Sequence, residues 1–337
     1  MILAFTFGCW LDGFRRVGRA QALLAGVFVV TLLAAAPLAV AIRGTIDAHL
    51  GRSLVANQVA DGVDTDWWQE FTGQASGLGS TFQTSILGFA ATLDNVSGIL
   101  DGEGQQATVA GALAIYLLVW VFLSGGIIDR YARQRPTRAH GFFSAAGVYF
   151  WRFLRLGIIA GAVYWFLFAY VHHWLFESLY TRMTRDVSVE RQAFAWRAGL
   201  YLLFGVLLAV ANAIVDYTKI RIVVEDRRSA IGSLFAAVAF IVRNSGRVAG
   251  LYAMNAVVFL LLVAVWAVAA PGAGGAGLSM WMGLLAGQAW VLARLALKLQ
   301  FLASQTALFQ KSLAHAMYTA APAPVWPESA AAEAIRN

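Results

Sequence analysis

Residues 21–42 read QALLAGVFVVTLLAAAPLAVAI, an uninterrupted run of 22 positions without a charge. A helix needs ~20 apolar residues to cross a bilayer. Only helices and closed barrels satisfy every backbone N–H and C=O there. The run shows no strand-like alternation, so it predicts a spanning helix. Working outward, five further apolar blocks appear at 109–128, 156–170, 198–215, 248–270 and 277–292. The chain of 337 residues is 60% hydrophobic and 13% charged, whereas soluble domains carry about 45–50% and about 25%. The expected fold class is therefore all-α, a polytopic membrane protein with six transmembrane helices.

The net charge of +7 raises the question of a nucleic-acid partner, and its placement answers it. With a cytoplasmic N-terminus, the inner segments hold 19 of the 25 Lys and Arg and 7 of the 18 acids. The outer segments then hold 6 Lys and Arg and 11 acids. This is the positive-inside pattern. The expected address is the cytoplasmic (inner) membrane, multi-pass, with both termini cytoplasmic. The expected partners are membrane lipids, through anionic headgroups on the inner face, with a protein partner or a second copy of the chain left open and no nucleic acid. No cleavable leader is expected, because no basic residue precedes the first apolar run. The single cysteine, Cys9, leaves no intrachain disulfide and no cysteine-based zinc site.

Three basic amphipathic segments precede outgoing spans. In the first, Phe7, Trp10, Leu11, Phe14 and Val17 share one helical face, and Asp12, Arg15, Arg16 and Arg19 share the other. The second is GFFSAAGVYFWRFLR at 141–155, ending on Arg152 and Arg155. The third, VEDRRSAIGSLFAAVAFIVRNSGR at 224–247, places Ile231, Leu234, Phe235, Val238 and Val242 at helical spacing and closes on Arg243 and Arg247. Each reads as an elbow helix lying in the membrane interface. Phe14, Arg16 and Arg19 align with Phe150, Arg152 and Arg155 at a constant offset, and IIDRY at 127–131 rhymes with IVDY at 214–217. These matches suggest three elbow-helix-plus-hairpin repeats. In the third segment, Asp226 or Ser229 is expected to cap the helix, and Arg227 and Arg228 to reach lipid phosphates. Adjacent acids on a helix do not face each other, which argues against a catalytic pair at Glu225 and Asp226.

The expected organisation is an interfacial helix at 1–20 and spans at 21–42, 109–129, 156–175, 195–216 and 248–270. A last span with an inner extension covers 277–313. A helical outer cap occupies 43–108, and basic inner loops with elbows occupy 130–155 and 217–247. An outer loop at 176–194, an outer turn at 271–276 and a disordered Pro/Ala-rich tail at 314–337 complete it.

Five polar intramembrane residues are candidates for a path or site: Asp129, Asp216, Asn212, Asn255 and Gln288. The simpler account pairs each Asp with a nearby cation, for example Arg133 or Lys219, and uses the amides to tie helices together. His172, His173 and Glu177 form the one candidate metal cluster, with His173 and Glu177 on one face. Zinc sites need three or four ligands, so an aromatic belt at the membrane surface is the competing account. Nine arginines are candidate headgroup anchors: Arg15, Arg16, Arg19, Arg152, Arg155, Arg227, Arg228, Arg243 and Arg247. Arg294 and Lys298, four apart, are expected to snorkel to the inner headgroups. Gly157 with Gly161 and Gly283 with Gly287 have the spacing of close helix contacts. No phosphate-binding loop, HExxH or Ser-His-Asp order stands out, and no catalytic residue or cofactor is expected.

The stretches GGIIDRYARQRPTRAHGFFSAAGVYFWRFLRL at 125–156 and DYTKIRIVVEDRRSAIGSLFAAVAFIVRN at 216–244 resemble uncharacterised bacterial multispan membrane proteins. More distantly, they are similar to the membrane domain of some glycerophosphodiester phosphodiesterases. The resemblance covers roughly 124–244 and implies a fold and a membrane address, without a chemistry. The catalytic domain of those enzymes has no counterpart in this sequence.

These readings point to a non-catalytic membrane component that handles lipid or supports a transport or envelope complex. A transporter or channel with a polar path between helices is the first alternative, and a metal-dependent outer-face enzyme is the second.

Overall fold

The computed structural model describes residues 2–51, 53–62, 64–82, 97–98, 100–102, 107–134, 136–271 and 277–313. The expected turn at 271–276 (beyond Pro271), the expected tail at 314–337 and part of the expected cap fall outside them. The described residues are mostly helical, with no strand among them. Six helices among the described residues are long and apolar enough to cross a membrane. They are α2 (Gln21–Leu50), α5 (Ala107–Arg133), α6 (Ala139–Thr184), α7 (Glu190–Val224), α9 (Ser245–Ala269) and α10 (Leu278–Ser312). Two shorter helices lie beside them, α1 (Ile2–Gly18) and α8 (Ala230–Arg243). Between α2 and α5 come α3 (Ala56–Asp61) and α4 (Thr65–Gln74).

Several helices overrun the expected boundaries. α2 continues to Leu50, through Pro37, instead of stopping at 42. The expected elbow at 141–155 is not set off from its span, because α6 runs unbroken for 46 residues. At 1.5 Å per residue that is ~69 Å, more than twice a hydrocarbon core. No proline interrupts the segment, and its middle, Leu167–His172 and Trp174–Leu179, is wound as two π-helical stretches. By contrast, α1 ends at Gly18 and α8 is separated from α9 by Asn244, whose φ of −121° breaks the helical path.

The packing is densest where α5, α7 and α10 end in basic residues, here termed the basic end. The C-terminal half of α10 is its central post: Leu299, Gln300 and every residue from Leu302 to Gln310 are buried. The sequence reading takes this stretch for an extension past the membrane, and the helix does end at Ser312, but it is core. Around it Cys9, Tyr149, Phe153, Tyr217, Ile220, Phe240, Leu251 and Phe309 form one apolar cluster. Trp120, Leu123, Ile127, Tyr131, Leu295 and Leu299 form a second. A third, Leu167, Leu175, Leu200 and Phe204, joins α6 to α7 toward the opposite end.

The short helices dock by their small side chains. α1 turns Thr6, Cys9, Gly13 and Arg16 inward and leaves Leu3, Phe7, Leu11 and Phe14 exposed. A Cβ on Gly13 would lie 2.8 Å from the Ser304 Cβ, so the helices touch at that glycine. α8 likewise buries Ala230, Ser233, Ala237 and Phe240 and exposes Ile231, Phe235 and Val242. Ser229 caps α8, its Oγ accepting from the Gly232 amide at 3.1 Å. Asp226 plays no part in that cap; it pairs with Arg152 at 2.6 Å. The close crossing of α5 and α6 falls at Gly125 and Gly126, where a Cβ on Gly126 would lie 2.8 Å from the Phe142 carbonyl oxygen. Gly157, Gly161 and Gly287, singled out by their spacing, have nothing within 4 Å of an added Cβ.

At the opposite end, Asp64 caps α4 by accepting from the amides of Asp66 and Trp67 at 3.1 and 2.9 Å. That start turns Trp67 and Phe71 inward, where both are buried. The Trp67 indole donates to His49 Nδ1 at 3.1 Å, which pins α4 to the end of α2.

Candidate functional site

Three polar residues of α7, Asn212, Asp216 and Lys219, fall at spacings that put them on one helical face. Helix packing turns that face toward α9 and α10. Asp216 is buried, at 7% exposure. A buried carboxylate is retained only with partners for its oxygens. Lys219 Nζ lies 3.0 Å from Oδ1. Around Oδ2 lie Asn212 Nδ2 at 3.2 Å, Gln305 Nε2 at 3.4 Å and Tyr252 Oη at 3.5 Å. Gln305 Nε2 also donates to Tyr252 Oη at 2.8 Å. One carboxylate thus gathers side chains from α7, α9 and α10.

This network forms part of the wall of a partly open cavity of about 890 Å³ between α2, α5, α7 and α10, with Phe259 of α9 at its edge. Most of the lining is apolar: Leu38, Val109, Leu113, Phe259, Leu295 and Phe301 belong to it. On α5 the lining runs from Val109 to Trp120 and on α10 from Val291 to Leu302, about 16 Å along each helix. Its charged residues are Asp216, Lys219, Arg294 and Lys298. Lys298 Nζ lies 3.5 Å from the centroid of the Trp120 ring and 5.9 Å from that of Tyr116. Arg294 lies 5.8 Å from the Trp290 ring centroid. A cation over an aromatic face gains roughly 0.5–2 kcal/mol. Among the described residues neither cation has a carboxylate within ion-pairing distance. Both line the cavity, where the sequence reading has them reach for headgroups.

Of the five polar candidates, Asp216 and Asn212 meet at this cavity. Asn255 is fully buried one layer away, donating to Ser304 Oγ at 3.3 Å. Asp129 is held apart by Arg133 at 2.8 Å, and neither it nor Gln288 lines the cavity. Tyr252, Gln305 and Trp120 complete the site and are not among the sequence candidates. The signal for Gln305 is a polar series, Gln300, Ser304, Gln305 and Gln310, within the apolar end of α10.

The arginines divide. Arg15, Arg19, Arg155, Arg228 and Arg243 are exposed and free to meet headgroups. Arg16 is a correction: it is 6% exposed and faces the protein. Its Nη1 donates to the Tyr131 carbonyl at 2.9 Å and to Gln310 Oε1 at 2.8 Å, and its Nη2 to Asp12 at 3.1 Å. Arg152 is tied to Asp226, Arg227 to Glu225, and Arg247 lies 4.6 Å from the Phe5 ring centroid. The metal candidates also separate. His172 Nε2 is 2.7 Å from the Leu100 carbonyl oxygen and its ring packs on Phe176 and Phe204. His173 points away, pairing with Glu177 at 2.9 Å on the exposed surface. Among the described residues no three His, Cys, Asp or Glu gather as metal ligands.

Comparison with family models, with curated proteins and with solved structures finds no match to this chain.

Proposed function

We propose that this protein is a non-catalytic integral membrane protein that takes an amphiphile from the bilayer into the cavity between α2, α5, α7 and α10. The observation that carries the reading is the cavity itself. Its walls are apolar over about 16 Å of helix, and its few charged groups lie among Asp216, Lys219, Arg294 and Lys298. Ligand sites share that build, an apolar enclosure with a small number of placed polar groups. Among the described lining residues there is no Ser, Cys or His, and binding is the role the site supports. The exposed bulky faces of α1 and α8, with Arg15, Arg19 and Arg243 beside them, suit helices resting in the interface of a cytoplasmic membrane, basic end inward. The docking of α1 on α10, α6 on α5 and α8 on α7 supports three repeated units.

A small lining residue, Ala112, gives the test. Wild-type protein and the Ala112→Trp variant are purified in mild detergent, and the lipid retained is measured by native mass spectrometry. Wild type is expected to keep a stoichiometric amphiphile and the filled variant to lose it. Equal retention by both would overturn the reading. A transporter with a polar path is the second reading, favoured by Asp216 and Asn212 facing one cavity. Translocation of the retained amphiphile between the leaflets of protein-containing liposomes would decide for it.

A further inference from the structure

We infer that the amphiphile held in the cavity carries a net-negative oxyanion head, a phosphate monoester above all, gripped by Lys298 and Arg294. This rests on the reading of the cavity as an amphiphile site and names the ligand's chemistry.

The charge balance of the lining carries the inference. Three cations and one acid face the cavity: Lys219, Arg294, Lys298 and Asp216. The acid is committed to Lys219 at 3.0 Å and further held from Asn212 and Gln305. Among the described residues, Arg294 and Lys298 have no carboxylate counter-ion. They lie one helical turn apart on α10 and so project on the same side. Both side chains are exposed on the cavity wall, where an arriving anion can reach them, and an aromatic face supplies only part of the charge balance. A bound anion completes the balance, and two cations match a dianion. Guanidinium and ammonium differ usefully here: Arg offers a planar fork to two oxygens, Lys a mobile point charge. Trp120 and Tyr116 hold the Lys298 ammonium on the cavity side of α10.

The head is placed by direction. α10 runs toward the basic end, so Lys298 lies nearer that end than Val291, and Trp120 nearer than Val109 on α5. The lining away from the basic end, Leu38, Val109, Ala112 and Leu113, is apolar. The head is therefore expected at Lys298 and Arg294, with the chain running toward Val109 and Leu38. A zwitterionic choline head would bring a fixed cation against Lys219 and Lys298, and a neutral head would leave the two charges unpaired. Free phosphate would fill little of the cavity and leave its apolar wall wet.

The experiment uses the full chain in nanodiscs of neutral lipid, with a photoreactive acyl chain on a phosphatidic acid probe. Label is mapped to peptides of α2, α5 and α10. Competitors are unlabelled phosphatidic acid, phosphatidylcholine, a fatty acid and inorganic phosphate. Phosphatidic acid is expected to displace the probe at least ten-fold better than phosphatidylcholine. Lys298→Gln with Arg294→Gln should abolish that preference, and Lys298→Arg should keep most of it, which separates lost charge from lost folding. If Ala112→Trp leaves labelling unchanged, the cavity reading itself is wrong. If Ala112→Trp blocks labelling but the two phospholipids compete equally, only the head-group inference fails. Displacement by inorganic phosphate as effective as by phosphatidic acid would overturn the lipid source and leave a free-anion site.

Discussion

The Arg16 guanidinium donates to the backbone carbonyl of Tyr131 at 2.9 Å, joining α1 to the last turn of α5 across a sequence separation of 115 residues. The same Nη1 reaches Gln310 Oε1 on α10, and Gln310 Nε2 in turn donates to the Ala132 carbonyl at 3.0 Å. Three helix ends are thus locked by one buried cation. The carbonyls at a helix C-terminus lack intrahelical donors and carry partial negative charge, so an arginine is well matched to that position.

Arg16→Ala should therefore loosen the basic end. It leaves Gln310 Oε1 and the Tyr131 carbonyl without that donor and Asp12 with Lys311 alone, at a cost of about 2–4 kcal/mol. Thermal unfolding in detergent should show the loss, and limited proteolysis should cut near α1 first. Arg15→Ala, on the exposed side of the same turn, is the control and should change little. Equal behaviour of the two variants would mean that the buried bonds contribute nothing.

The same cluster predicts a pH dependence. Burial works to raise the Asp12 carboxyl, but Arg16 and Lys311, the latter 3.2 Å away, together hold it below its ordinary 3.8. The folded state then favours the ionised form. Its stabilisation is complete at neutral pH, shrinks as pH falls below 3.8 where the unfolded chain protonates first, and ends once pH passes the lowered folded value. The stability gap between wild type and Asp12→Asn should accordingly be constant above about pH 5 and close in more acid solution. A gap that stays the same at acid pH would contradict the assignment.

Gly126→Ala probes the crossing of α5 and α6. The new Cβ would meet the Phe142 carbonyl oxygen at 2.8 Å, backbone that has no rotamer to move aside. Overpacking of that kind costs about 1–3 kcal/mol. Gly161→Ala, with open space around it, should be neutral or slightly stabilising through helix propensity. Thermal midpoints measured side by side would expose the contrast, and its absence would show that α6 can shift freely.

What could be read from the sequence follows from what is local. The six spans were legible because the cost of placing a charge in hydrocarbon acts on each segment of ~20 residues by itself. The pairing of Asp216 with Lys219 was legible for the same reason, since i and i+3 share a face. Tyr252 and Gln305 were not, because their meeting with Asp216 depends on how three helices pack. Arg16 faces the protein and not the headgroups, and its sequence does not reveal this, because a basic helical face has the same periodicity whether it meets phosphate or a buried carbonyl. The amphipathic pattern at 141–155 does not reveal that the segment is continuous with its span, because a change of environment along α6 need not break the helix. Gly125 and Gly126 lack the i, i+4 spacing that marked the other glycine pairs, and yet they make the contact.

Asp216→Asn separates the two readings of the cavity. The change keeps the shape and removes the one acid of the lining. It also sets an amide where Asn212, Gln305 and Lys219 all offer donors, so some stability is lost, about 1–3 kcal/mol. For a cavity that holds an anionic amphiphile, the variant frees the Lys219 charge, and retention of phosphatidic acid should stay level or rise a few-fold. For a transporter in which Asp216 exchanges its charge during each cycle, binding would persist while movement between leaflets stops. Retention by native mass spectrometry and translocation in liposomes, measured on the same preparation, distinguish the outcomes. Loss of retention in a variant that still unfolds cooperatively would count against both, because it would make the carboxylate itself the ligand's partner and so call for a cationic head.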